Sequence, residues 1–503
     1  LVPVQFSSSA EAMVYRHLGD ALNGRVEVLS FARLAERILK STGSLNHPQL
    51  SDAGRVVFVR RALDAIGGEL QVFARQRRST AFCSLCAQTL SELKIAGAQP
   101  GRLREIALEK NDDKLAEIAL IFEAYETAIA GAAVDPEDKL TLAAARVDQG
   151  YLCGKICYVD GFDGFTAPEY GMLYKLLAAC GDVMVSLCCD DLYRGEEGLA
   201  LFYPVRRVAQ RLIRMAQKQG VAVKVPTGLD GVKRTADTAL LAVNRLLALD
   251  DRPETPPAGG LTLTPVADEW EEVGLAAAQM HRLALEGVPY SRMALVCREM
   301  DAYETPVRRQ FERYEIPVFL DATGTIEYTA PVVFVRAALG LLRQGLTSRP
   351  ILALLKSGLC PYGEMALAAL ENYVYTWNPK ADDWRVPFER HPDGLLQRMD
   401  AQAEEQLRLA EGVRTAAIPV IEEFIQKSKI KKVESLSKQL YLLLDRFGAA
   451  GACEAAARQL EARGEPALAE QTRRAWDLTM GLLDQMVALV GGETLTPEEY
   501  DEL

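Results

Sequence analysis

The run Ile156-Cys157-Tyr158-Val159-Asp160-Gly161-Phe162-Asp163 ends a short apolar strand on an acid. A carboxylate at a strand tip can hold Mg²⁺ against the phosphates of a nucleotide. Hydrolysis there also needs a group that orients water and takes its proton, commonly worth about 10²–10⁴-fold. The next residue is Gly161, which accepts no proton. Asp160 is therefore either a metal ligand without its chemical partner or an acid that caps the following loop. Gln5, Phe6, Ser30 and Phe31 form a second group. They stand at the C-terminal ends of two expected parallel strands, Leu1 to Val4 and Val26 to Ser30, where open α/β sheets place ligands. A phenylalanine there can stack on a base, and a short polar group can hold a phosphate. The two rings suit a core equally well. Cys83 and Cys86 make a C-x-x-C, but inside a helical pattern and with no second pair at zinc spacing. They read as small buried hydrophobes.

The elements that must position these residues alternate. Residues 1–45 follow β-α-β-α, the grammar of a parallel sheet. Residues 46–150 carry almost only helical periodicity, with Asp135-Pro136-Glu137-Asp138 as a helix start. Strands return at Ile156 to Val159 and Val183 to Leu187, with a helix between them. A basic amphipathic helix follows over 204–219, with Arg206, Arg207, Arg211 and Arg214. Residues 249–260 are a Pro/Gly-rich linker. Strands are expected again at Leu261 to Pro265, Met293 to Val296 and Pro317 to Leu320, and helices from about 330 to 503. Two further basic runs, Arg75/Arg77/Arg78 and Lys427/Lys429/Lys431/Lys432, suit either a nucleic-acid channel or a solvated face.

Net charge is −12 over 503 residues, which excludes a small basic DNA-binding domain. A large chain can still confine its basic groups to one channel. No apolar run approaches the ~20 residues of a membrane span. Leu1 to Phe6 show neither the basic start nor the long apolar segment of a secretory signal, and scattered reduced cysteines fit the expectation of a cytoplasmic protein.

The order of elements is similar to that of superfamily-1 DNA helicases of the UvrD/Rep type. The stretches LVPVQFSSSAEAM, VLSFARLAERIL, AVDPEDKLTLAA and VCREMDAYETPVRRQFERYEIPVFLD carry this likeness. More specifically, VPVQF, VDGFDGFTAPEY, YEIPVFLDATGTI, LLKSGL and LENYVYTWNPKADDW resemble the AddB (or RexB) subunits of bacterial AddAB helicase-nucleases. The resemblance implies an α/β protein with two RecA-like, P-loop-type parallel-sheet domains, each bearing a large helical insertion. The first domain would span 1–45 and 151–248, with its insertion at 46–150. The second would span 261–329, followed by an insertion at 330–503.

The resemblance also implies roles and gaps. Family members carry a Gly-rich phosphate loop upstream and a nuclease domain with an iron–sulfur cluster downstream. The chain is expected to be the helicase-like part of a longer protein, holding no cofactor itself, although the family uses Mg²⁺ and ATP. Asp160, Gly161 and Asp163 occupy the frame where active helicases read roughly D-E-x-Q-D. Arg298 takes the place of an arginine near the ATP phosphates. Asp190, Asp191 and Tyr193 resemble a segment that couples ATP to DNA, but its Gln is missing. Gln5, Phe6, Ser30 and Phe31 would face single-stranded DNA. The expected partners are the 3′-ended DNA strand and an AddA-type subunit, with no membrane. The expected role is catalytically degenerate DNA binding in double-strand break resection and Chi scanning for homologous recombination. An active superfamily-1 helicase fragment and a helical protein-interaction scaffold are the alternatives.

Overall fold

The computed structural model describes residues 1–19, 24–43, 49–77, 79–147, 152, 154–189, 192, 201–228, 237–249, 260–320, 326–395, 398–429 and 432–502. They form two compact units: Leu1–Pro226 with Glu327–Leu503, and Thr227–Ile326.

In the first unit, strands β1 (Ile156–Val159) and β2 (Asp182–Val185) pair in parallel, with Ile156 opposite Asp182 and Val159 opposite Val185. The crossover is the helix Ala167–Ala179. Thr166 and Glu169 cap it reciprocally, and a proline sits in its first turn, an arrangement that satisfies donors the helix leaves open. Leu1 and Val2 run beside β1: Asp160 N–H donates to Leu1 O at 2.9 Å, and Val2 N–H to Leu29 O at 3.0 Å. The helix Phe31–Ser41 buries Phe31, Leu34, Ala35, Ile38 and Leu39, the i, i+3, i+4, i+7, i+8 stripe of an amphipathic helix. That stripe packs with Val159, Met172, Leu173 and Leu176.

Two helical cores complete this unit. The helix Asp52–Ala65, capped by Ser51, presents Phe58, Val59 and Leu63 to the helices Thr80–Ile95 and Asp113–Ile129. Its Val57 belongs to a larger core built on Phe334, Leu370, Trp384, Ile421, Leu440 and Met486. Lys94 is buried among Glu126, Asp135 (3.3 Å) and Asp138 (2.6 Å).

The second unit packs the helix Glu269–Leu285 on Met300–Arg313 through Val273, Ala277, Val307 and Phe311, with Ile316. The segments 261–266, 293–297 and 316–320 run without strand pairing. Leu263, Val296 and Phe319 are 94%, 89% and 90% exposed.

The expected pair of RecA-like parallel-sheet domains is therefore corrected. Among the described residues there is one two-stranded sheet, and the rest is helix and connecting chain. Apolar and β-branched runs favour extended backbone, but a strand exists only where a neighbour takes its N–H and C=O groups. The three segments of the second unit have no such neighbour among the described residues. In the first unit, Val4–Phe6 turns into a 3₁₀ helix instead of extending the expected first strand. No helix among the described residues is long and apolar enough to cross a membrane.

Candidate nucleic-acid interface

Strand β1 delivers Asp160 to its tip, where the carboxylate accepts a hydrogen bond from Ser186 Oγ, just past β2. The side chain is exposed. Gly161 follows with φ +82°, and a Cβ there would lie 3.3 Å from Pro3 Cδ. An L-residue is strained in that left-handed conformation, and Pro3 closes the space from the other side. A glutamate beside Asp160 would be strained on this backbone. Asp163 is exposed on the same loop. Arg298 lies in the second unit, exposed at the bend before the helix Met300–Arg313. Among the described residues, no three His, Cys, Asp or Glu side chains are grouped so as to hold a metal. Asp190, Asp191 and Tyr193 lie outside the described residues, as do Arg78 and Lys431.

The four residues expected at DNA divide into two pairs. Gln5 and Phe6 sit on the exposed turn Val4–Phe6, with Phe6 51% exposed. Ser30 is buried and caps the helix Phe31–Ser41, its Oγ accepting from Arg33 N–H at 3.3 Å. Phe31 is 5% exposed. Its ring meets Phe162 edge-on at 5.5 Å and Phe165 at 6.1 Å. Phe165 in turn meets Tyr170 at 5.5 Å, and the Arg211 guanidinium lies 3.7 Å over the Tyr170 ring. Burial lifts the Tyr170 phenol above its ordinary value, against the opposing pull of Arg211 and Arg207.

This ring series from Phe31 to Tyr170 was not assembled by sequence reasoning. Its one local signal is the pair of aromatics at 162 and 165, directly past the strand tip. The remaining polar candidates serve local structure. Glu117 accepts from the backbone N–H groups of Gln71, Val72 and Phe73 at 2.6, 2.7 and 2.9 Å, fixing the loop that carries the exposed Arg75. Lys427 pairs with Glu423 at 2.6 Å. Burial pushes the Cys86 thiol up to about 12 and raises Cys83 as well, so both stay protonated near neutral pH, away from the thiolate that metals and disulfide exchange require.

Residues 1–243 match the family model described as ADDB, N-terminal. Three curated relatives are each described as the B-type subunit of an ATP-dependent helicase/deoxyribonuclease. The chain is 31% identical to the one from Desulforudis audaxviator (strain MP104C), over 100% of this chain and 45% of that protein. The one from Desulforamulus reducens (strain ATCC BAA-1160 / DSM 100696 / MI-1) is 30% identical, over 99% of this chain and 45% of its own length. That from Geobacillus thermodenitrificans (strain NG80-2) is 29% identical, over 100% and 46%. The chain thus spans about half the length of the curated relatives it matches.

Proposed function

We propose, from the match of residues 1–243 to the AddB N-terminal family, that the chain is the DNA-binding, non-hydrolysing part of a B-type helicase/deoxyribonuclease subunit. An A-type subunit is its partner and supplies ATP hydrolysis. The chain guides the 3′-ended strand during double-strand break resection and scans it for Chi ahead of recombination. Gln5 and Phe6 meet the strand directly, while Ser30 and Phe31 hold the same edge from within.

The observation that carries the non-hydrolysing role is Gly161 itself, which leaves Asp160 without an adjacent carboxylate to orient water. Its positive φ and the nearby Pro3 ring suit a glycine at that position. Phosphate release from ATP, measured on the 503-residue chain with single-stranded DNA present, is expected to stay at background. Turnover in the ~1–10³ s⁻¹ range of ordinary enzymes would overturn this reading.

A further inference from the structure

The helix Tyr203–Lys218 carries a feature that the family assignment leaves unused. Arg211, Arg214 and Lys218 are exposed and spaced by three and four residues, so they stand on one helical face. The face spans about 10 Å at ~1.5 Å per residue. It borders a cleft of about 660 Å³ whose other wall is Tyr170, Gly171 and Tyr174 from the helix Ala167–Ala179, and no acid lines it. Some exposed cations of this acidic molecule are neutralised, Arg408 by Glu405, Arg458 by Glu454 and Lys356 by Glu371, while others such as Lys110, Arg313 and Arg474 are scattered singly over the described surface. Among the described residues, no carboxylate comes within ion-pair reach of Arg211, Arg214 or Lys218.

We propose that this cleft binds the phosphodiester backbone of single-stranded nucleic acid through Arg211, Arg214 and Lys218. The inference rests on the DNA-binding reading above and assigns part of that binding to a named surface. Arg211 is preorganised for the task. Its guanidinium lies against the Tyr170 ring at 3.7 Å, and Tyr170 is itself held by Phe165. Stacking occupies the face of the guanidinium and leaves its in-plane N–H groups for a bidentate phosphate contact. Three cations on long side chains along one face can neutralise up to about three phosphates of a strand laid across it. Tyr174, partly exposed on the same wall, is the ring left to meet a base beside this cationic track, and an aromatic beside cations is the composition that binds single strands with little sequence preference.

The test compares the full chain with R211Q/R214Q/K218Q and with a charge-matched control, R408Q/R458Q/K356Q. Binding of labelled oligo(dT) is titrated from about 50 to 300 mM salt, and melting temperature is recorded for each protein. Three lost phosphate contacts should make the log K against log salt slope shallower by about 2 and weaken binding by roughly 100-fold near 0.1 M salt. The control should keep the wild-type slope, and all three proteins should melt alike. A triple variant with wild-type slope and affinity overturns the proposal while the DNA-binding reading stands. Labelled deca-glutamate is titrated in parallel, and a triple variant that loses its binding while oligo(dT) binding is unchanged also overturns the proposal, in favour of an acidic protein partner. A wild-type chain that shows no salt-sensitive oligo(dT) binding overturns both.

Discussion

At the scale of single residues, Phe6 and Phe31 make opposite predictions although sequence treats them alike. Phe31 is enclosed by Phe162 and Phe165, so Phe31→Ala should cost about 3–5 kcal/mol of stability, read by urea unfolding. Phe6 is half exposed. Phe6→Ala should leave the unfolding midpoint in place and weaken oligonucleotide binding by about 5- to 150-fold if its ring stacks on a base. An unchanged affinity would remove Phe6 from the interface. Glu117 offers a pH test. Burial alone would raise its carboxyl, but the N–H donors of Phe73, Val72 and Gln71 outweigh it and hold the group below its ordinary 4.5. A depressed acid contributes stability above its unfolded value and loses it as pH falls through the folded one. The gap in unfolding free energy between wild type and Glu117→Ala should therefore be full near neutral pH and narrow as pH drops below 4.5. A gap that stays constant would mean that packing, not charge, sets the effect.

At the scale of elements, the caps carry a local prediction. Thr166→Ala breaks the reciprocal cap of the helix Ala167–Ala179 and should cost about 1 kcal/mol, visible as a lower melting temperature. That helix, β1 and the start of β2 were legible in the sequence because their signals are local: an apolar run, a capping box, a proline in the first turn. The amphipathic face of Phe31–Ser41 was legible for the same reason. Strand pairing was not, because a ladder depends on a neighbour that can lie far along the chain. Val26 to Ser30 and Leu261 to Pro265 look alike as text, yet among the described residues only the former has a backbone partner, at Val2. The division of the DNA candidates was equally hidden. Whether Phe31 faces solvent or core is decided by Phe162 and Phe165, far downstream in the chain. That Gly161 offers no base is plain from its type alone, but only the backbone shows that a larger residue would be strained there.

At the scale of the whole molecule, the linker expected at 249–260 falls inside the second unit, Thr227–Ile326, and its residues 250–259 lie outside the described residues; its composition predicts that limited proteolysis cuts there before it cuts within 156–190, where β1, the Ala167–Ala179 helix and β2 are packed together. Mass spectrometry of the first fragments checks this, and an early cut inside 156–190 would reject the proposed division. The first unit is assembled from two separated lengths of chain, Leu1–Pro226 and Glu327–Leu503. The helix Asp52–Ala65 joins them: Val57 enters the larger core, Gly54 lies against Leu489, and Arg60 reaches Glu499, 439 residues away. On a ribosome adding about 5–20 residues per second, this helix waits roughly 20–90 s for its last partners. Throughout that interval one of its apolar flanks faces water, which makes the nascent chain a client for hydrophobe-binding chaperones until the C-terminal helices emerge.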